Sequence, residues 1–141
     1  MKHSLWLHLG ALAAAPFLAL AAQAATVSVS VHKVSSAKGT VTAVLCDKTT
    51  FLGRCAAIQR QPANAGTVVV SFPDVAPGRY AISVYHDENA NKKLDRNMFG
   101  MPSEGYGFSR DAPIRMGPPS FDDAAFDTGP NGTELAISLR Y

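Results

Sequence analysis

The amino-acid sequence predicts an all-β fold, an antiparallel β-sandwich with one long loop rich in glycine and proline. Short segments alternate apolar and polar residues, which is the pattern of strands that bury one face. Glycine, proline and asparagine separate these segments at the positions where turns are needed. No longer window shows a helical stripe of apolar side chains. Several short strands joined by such turns are typical of a sandwich.

Five segments carry the clearest alternation, and each follows a turn signal or opens the mature chain. A sixth strand is predicted over Phe121–Asp127, where aromatic and small residues follow a proline-rich stretch. The residues expected on the buried faces of the five segments are Val27, Val29 and Val31; Val41, Ala43 and Leu45; Val68, Val70 and Phe72; Tyr80, Ile82 and Val84; and Leu135, Ile137, Leu139 and Tyr141.

The turn before the fourth strand carries a more specific signal. The segment Phe72–Tyr80 has the pattern Phe-x-x-Val-x-Pro-Gly-x-Tyr. This pattern resembles transthyretin-like and other immunoglobulin-like modules, in which a Pro-Gly turn leads into a strand that begins with an inward tyrosine. We expect Tyr80 to bury its ring while its hydroxyl finds a hydrogen-bond partner. The resemblance implies the fold only.

The first 24 residues have the features of a signal peptide rather than of a folded segment. Met1–His3 is basic, Leu5–Ala22 is mostly apolar, and Ala22–Ala24 supplies the small-x-small pattern of a cleavage site. A membrane anchor is the alternative, but a strand pattern follows at once with no basic flank. We therefore expect cleavage near Ala24/Ala25, no transmembrane anchor afterwards, and one periplasmic or secreted domain over residues 25–141.

The composition excludes one class of partner. Thirteen basic and 11 acidic residues give a formal net charge of +2. Proteins that bind nucleic acid carry clustered lysine and arginine, and no such cluster is present. We expect no nucleic-acid partner.

The two cysteines are expected to form a disulfide. Cys46 and Cys55 are the only cysteines, and they flank the segment Asp47–Arg54 in a chain bound for an oxidising compartment. Closing a loop of this size contributes about 2–3 kcal/mol in the loop-entropy treatment. Two free thiols are the alternative.

The segment after the fourth strand has the oxygen spacing of a calcium loop. Calcium loops place side-chain oxygens at positions 1, 3, 5 and 9 and a main-chain carbonyl at position 7. We therefore expect calcium as a cofactor, with Glu104 completing the shell. The other expected ligands are Asp87, Asn89, Asn91, Asp95 and the carbonyl of Lys93.

Two residues depart from the pattern of an EF-hand. Lys92 stands where glycine is expected, and Met98 stands where a bidentate glutamate is expected. The alternative is a solvated loop in which Asp and Asn serve only as turn residues.

The long segment Asp95–Ser120 holds several aromatic residues. Long loops inside a compact domain commonly bind ligands. The rings either pack over one end of the sandwich or bind a partner, which would be a glycan, a peptide or an envelope protein. The expected ligand-binding residues are Tyr85, His86, Phe99, Tyr106 and Phe108.

Three linked motifs resemble one bacterial family, whose members are small exported proteins classed as a domain of unknown function. The resemblance implies an exported single β-domain and no established activity. Lys92 departs from it, because the family tends to have glycine after the second asparagine. The motifs are His86-Asp87-x-Asn89-x-Asn91-x-x-Leu94-Asp95, Gly100-x-Pro102-x-Glu104-Gly105-Tyr106-Gly107-Phe108-Ser109, and Pro118-Pro119-Ser120-Phe121-Asp122-Asp123-Ala124-Ala125-Phe126.

Catalytic interpretations have little support in the sequence. His86 and Asp87 are adjacent, so on a strand they point to opposite faces and cannot form a dyad. No G-x-S-x-G motif is present. A hydrolase that uses a loop carboxylate such as Glu104 is the least favoured alternative. We expect a non-catalytic binding or envelope-accessory module.

Overall fold

The computed structural model describes residues 16, 18, 19, 24–55 and 57–141. The predicted signal peptide over residues 1–24 falls largely outside these residues. Within the described part, no helix has the length and apolar character needed to cross a membrane. The described elements are eight strands, the 3₁₀ turn Ser109–Asp111 and the helix α1, Phe121–Ala124. The strands are β1 Ala25–Val34, β2 Thr40–Cys46, β3 Ala57–Pro62, β4 Gly66–Val75, β5 Gly78–Asp87, β6 Tyr106–Phe108, β7 Phe126–Thr128 and β8 Thr133–Ser138.

The strands form two sheets, and the predicted all-β sandwich is confirmed. One sheet has the order β4-β1-β8, and the other has the order β3-β2-β5-β6, with β7 also pairing with β5. All the pairings between named strands are antiparallel except that of β1 with β8, which is parallel. At the centre of the smaller sheet, Val29 lies between Val70 and Leu135.

The core lies between the sheets and is built from the alternating apolar residues of the strands. The structure buries most of these side chains as the alternation predicts, and each contributes about 1.5–3 kcal/mol when fully buried. Tyr80 and Leu135 are half-buried. The predicted burial of Tyr141 is wrong: it follows the end of β8, lies at the surface with 61% of its area exposed, and its ring lies against Gly105. Tyr80 packs against the core, and its hydroxyl donates a hydrogen bond to the carbonyl of Ala76 at 2.8 Å. The fully buried apolar side chains of the core include Val27, Val29, Val31, Val41, Val70, Ile82 and Ile137.

One side of the sandwich is closed by a bridge between the two sheets. Tyr106 and Arg140 exchange two backbone hydrogen bonds of 2.9 Å. Two glycines permit this approach. A Cβ on Gly107 would lie 2.9 Å from the side chain of Ile137, and one on Gly105 would lie 2.3 Å from the ring of Tyr141. The Gly-Tyr-Gly sequence therefore fixes the closing strand against the opposite sheet.

Several elements differ from the prediction. The strand β6 and the 3₁₀ turn that follows it lie inside the segment Asp95–Ser120, which was predicted as a loop. The segment predicted as one strand over Phe121–Asp127 begins instead with the helix α1, and only its end joins β7. The reason is a capping box, in which the Ser120 hydroxyl accepts the N–H of Asp123 at 3.2 Å and stabilises a helical start. The strand β3 was not predicted, because its polar sequence gives no alternation; it lies at the edge of its sheet and is mostly exposed.

The predicted disulfide between Cys46 and Cys55 is present. Inside its loop, the carboxylate of Asp47 accepts hydrogen bonds from the backbone and hydroxyl of Thr49 and of Thr50, at 2.7–3.0 Å. These bonds lower the pKa of Asp47, the one from the Thr49 hydroxyl most strongly and the one from the Thr50 hydroxyl next. The loop is thereby folded into a tight turn that directs Phe51 toward the outer face of the larger sheet.

Candidate functional site

A second apolar cluster covers part of the outer face of the larger sheet, on the side away from the core. We call it the outer cluster. The buried hydroxyl of Ser109 supports it by accepting the N–H of Ile82 at 2.9 Å and donating to the carbonyl of Ala124. Its members are Ala81, Phe108, Ala112, Phe121, Ala124 and Ala125, with Phe51, Tyr106 and Ile114 half-buried against them.

Beside the outer cluster lies an open groove of about 1030 Å³. Strands β2, β5 and β6 line it from below with Val44, Tyr85 and Tyr106, and the disulfide loop lines one part with Leu52. Residues 94–102 and 114–118 supply the remaining walls. The groove therefore joins segments from four distant parts of the chain.

The rim of the groove exposes large apolar side chains. Leu52, Met101 and Met116 all line the groove and are more than half exposed. Met98 and Phe99 lie close by in the chain and are also exposed, Phe99 by 82%. Contiguous exposed apolar surface commonly marks a binding site. Methionine is suited to such surfaces, because its flexible thioether adapts to different ligands.

Two arginines also line the groove, one from each of the long loop segments. Arg96 and Arg115 are both exposed, and Arg96 Nη1 donates a hydrogen bond to the carbonyl of Gly100 at 3.0 Å. Neither arginine takes part in the ion pairs found among the described residues. The lining described here contains no acidic side chain. The groove is therefore apolar with a positive component.

The predicted calcium loop is held closed by its own hydrogen bonds. Asp87 is fully buried, and its carboxylate accepts the backbone N–H of Asn91 at 3.0 Å and of Lys92 at 2.7 Å. Lys92 adopts a φ of 66°, which is the left-handed conformation that glycine favours at this loop position. Asp87 therefore fixes the turn from inside the protein.

The two asparagines of the loop point toward Asp95. The side-chain amides of Asn91 and Asn89 donate to its carboxylate at 2.7 and 2.6 Å. These bonds, first that of Asn91 and then that of Asn89, hold the pKa of Asp95 below its usual value, and the charge of Lys93 adds to the effect. The carboxylate is therefore stabilised in its charged form.

Glu104 connects the two ends of the loop. It is buried, and its two carboxylate oxygens accept the backbone N–H groups of Glu88 and Asp95, each at 3.0 Å. Across the described part of the chain, no group of three or more His, Cys, Asp or Glu side chains is arranged to hold a metal ion. The carboxylates are occupied by N–H donors, so a cation would have to replace part of this network.

His86 lies inside the protein and not in the groove. Its Nε2 lies 2.7 Å from the carbonyl of Lys38, and its Nδ1 lies 2.9 Å from the hydroxyl of Tyr141. A carbonyl only accepts, so Nε2 carries the hydrogen, and in the neutral ring Nδ1 accepts from Tyr141. The same hydroxyl accepts the N–H of Ser35 at 2.9 Å. His86 therefore connects β5 to the segment at Lys38 and to the C-terminal Tyr141.

The five residues predicted to bind a ligand fall into three environments. Tyr85 and Tyr106 are half-buried and line the groove, and Phe108 reaches it from the outer cluster. Phe99 is exposed beside the groove, and His86 is buried away from it.

Sequence reasoning missed several residues of the groove, including both arginines. Arg96, Arg115, Leu52 and Met116 come from segments that only the fold brings together. One signal could have indicated these residues. Large apolar side chains occur in segments rich in glycine and proline, where no core strand is predicted to bury them.

Comparison with known proteins gives one match. No curated protein and no solved structure matches the chain. A family profile matches residues 29–136, which cover most of β1, all of β2 to β7 and most of β8. The chain therefore belongs to the family described as "Uncharacterized protein conserved in bacteria (DUF2141)".

Proposed function

We propose that this protein is an exported, non-catalytic binding module that holds the apolar part of a ligand in the groove. The observation that carries the proposal is the groove itself, which combines an aromatic floor with exposed methionines at its rim. Ligand sites are typically concave and mostly apolar, with a few polar groups that orient the ligand.

The character of the lining distinguishes between the ligand classes expected from the sequence. A glycan presents many hydroxyl groups, which need hydrogen-bond partners when they leave water. Apolar residues such as Val44, Leu52 and Met101 offer none. A ligand with apolar side chains or an apolar tail is therefore favoured over a glycan, whether it is free or part of an envelope protein.

The test uses the uncharged dye Nile red, whose fluorescence rises in apolar surroundings. The mature protein should bind the dye, and Met116→Glu should weaken this binding at least about tenfold, because it places a charge in the groove. Val69→Glu is the matched control, since Val69 is an exposed apolar residue on β4 in the other sheet. Equal binding by both variants, or no binding at all, would contradict the proposal.

Export is supported by the sequence of residues 1–24 and by the start of β1 at Ala25, directly after the expected cleavage site. After expression in a bacterium, N-terminal sequencing of the protein from the periplasmic fraction and from the medium should give Ala25 as the first residue. An uncleaved protein in the cytoplasm would contradict this part of the proposal.

A second candidate function is calcium binding by residues 87–95 with Glu104. It is favoured by the left-handed backbone at Lys92 and by the oxygens of Asp87, Asn89, Asn91 and Asp95 within one folded loop. Calcium at 100 times its Kd would add about 2.7 kcal/mol. Melting curves in EDTA, calcium and magnesium should then show a calcium-specific rise in Tm.

Asp95→Asn separates this candidate from a purely structural loop. It removes a ligand charge at a half-buried position of the loop, whereas Asp87→Ala would disturb the fully buried turn with or without calcium. Loss of the calcium-dependent shift in Asp95→Asn supports the site. No shift in the unmodified protein at several times 10⁻³ M, the weak end of known calcium sites, would contradict it.

A loop-carboxylate hydrolase has the least support. Both oxygens of Glu104 accept backbone N–H groups in a buried setting, which assigns this side chain to holding the loop. Activity on a broad substrate panel that is lost in Glu104→Ala, while the variant keeps its fold, would revive this alternative.

A further inference from the structure

We infer that the groove binds a small anionic amphiphile, a molecule with an apolar chain and a carboxylate or similar acid group at one end. This inference rests on the proposed function and names the ligand class of the same site. It follows from three properties of the groove, namely its charge, its size and the location of its charged groups.

The charge of the groove is positive. Arg96 and Arg115 line it from different loop segments, and the lining described above holds no acidic residue. A guanidinium group binds a carboxylate through two parallel N–H bonds, which is a stronger and more directional contact than a lysine gives. Neither arginine has an acidic partner in the ion pairs found among the described residues. An anionic group is the complementary partner.

One arginine is already positioned. Arg96 Nη1 donates to the carbonyl of Gly100, which anchors the side chain across its own loop. A backbone carbonyl leaves the positive charge of the group uncompensated, so it remains available to an anion. Ordering this side chain beforehand also reduces the entropy lost when a ligand binds.

The size of the groove favours a small molecule over a long peptide. Its volume is about 1030 Å³. Pockets for small molecules measure roughly 300–1,000 Å³, so the groove is about as large as the largest of them. The volume therefore suits one small molecule.

The charged groups of the lining are confined to its loops, where they lie beside apolar residues such as Met101 and Met116. Val44, Tyr85 and Tyr106 belong to the strands, whereas both arginines belong to the loops above them. An apolar chain placed against the strands would therefore direct its acid group toward the loops. This is the arrangement that an amphiphile requires.

The experiment measures displacement of Nile red from the mature protein by three ligands with the same ten-carbon chain. Decanoate is anionic at neutral pH, decanol is uncharged and decylamine is cationic. A hydrogen bond to a charged group contributes about 1.5–3 kcal/mol, so decanoate should displace the dye at about tenfold lower concentration than either of the others.

Variants locate the effect at the two arginines. Arg96→Gln/Arg115→Gln should abolish the preference for decanoate while the protein still binds Nile red. Arg60→Gln/Arg140→Gln is the control, because it removes the same total charge at two exposed positions outside the groove lining and should keep the preference.

The outcomes separate the inference from the proposed function. Equal displacement by all three ligands, or a preference that survives in the Arg96/Arg115 double variant, would overturn the inference and leave the apolar groove as the binding site. A capped, uncharged apolar peptide that displaced the dye better than decanoate would assign the groove to peptides instead. If the protein does not bind Nile red, the proposed function fails and the inference fails with it.

Discussion

The ring of Phe51 stands edge-on to the ring of Phe121, with their centroids 5.7 Å apart and their planes at 72°. Phe51 belongs to the disulfide loop, and Phe121 opens α1, so this contact joins two segments far apart in the sequence. Phe51 also meets Phe108 edge-on at 6.2 Å. The disulfide loop is thereby connected to the outer cluster, which lies directly beside the groove.

Removing the disulfide should weaken both stability and ligand binding. Cys46→Ser/Cys55→Ser is expected to lower the free energy of unfolding by about 2–3 kcal/mol, since the unfolded chain gains freedom. Because Leu52 and both cysteines line the groove, Nile red binding should also fall. Urea titration and dye titration measure the two effects, and a fully stable double variant would contradict the first.

Asp87, the last residue of β5, should be among the most sensitive positions of the predicted calcium loop. Asp87→Ala leaves the N–H groups of Asn91 and Lys92 without their buried partner. Each lost bond to a charged group is worth about 1.5–3 kcal/mol, so we expect a loss of at least about 2 kcal/mol in urea unfolding. Asp122→Ala removes an exposed carboxylate and should change stability by no more than about 0.5 kcal/mol.

The backbone at Lys92 should be more stable with glycine. The left-handed conformation destabilises the folded state by about 1–2 kcal/mol for a residue with a side chain. Glycine avoids this strain, but it makes the unfolded chain more flexible, which lowers stability by about 0.4–1 kcal/mol. Lys92→Gly should therefore gain stability, by up to roughly 1.5 kcal/mol from the same two principles. Lys93→Gly is the matched control, because its φ is not positive, and it should lose stability. A loss in Lys92→Gly as large as that in Lys93→Gly would contradict the argument.

Asp95 should contribute to a loss of stability at acidic pH. Its pKa is lowered in the folded state, mainly by Asn91 and then by Asn89. Because this pKa is lowered on folding, the unfolded state binds the proton more readily than the folded state does as the pH falls. The contribution of Asp95 to stability is therefore complete above the pKa of the unfolded state, about 3.9, and is lost as the pH falls through the lower pKa of the folded state.

The measurement compares unfolding from about pH 5 down to about pH 2. Asp95→Asn should reduce the dependence on pH and leave the part that comes from Asp47, whose pKa is also lowered. The surface variant Asp122→Asn controls for the change in net charge. An unchanged pH profile in Asp95→Asn would contradict the role assigned to its hydrogen bonds.

The sequence predicted the core strands because burial of one face imposes a period of two, as in Val27, Val29 and Val31. It also predicted the cysteine pair, whose two residues are close in the chain. The edge strand Ala57–Pro62 escaped prediction, since its polar residues face water and only backbone pairing with β2 defines it. The two arginines of the groove were not predicted as binding residues for another reason. A surface formed by four distant segments leaves no local pattern in the sequence.

The parallel pairing of β1 with β8 has a consequence for the order of folding. β1 lies in the middle of its sheet, and its register joins Val27 to Thr133 and His32 to Ser138, more than a hundred positions away. Contacts between such distant residues make folding slow. The central strand gains its second neighbour only after nearly the whole domain has been synthesised. In a chain exported as proposed above, this pairing leaves the smaller sheet incomplete until both ends of the domain have crossed the membrane.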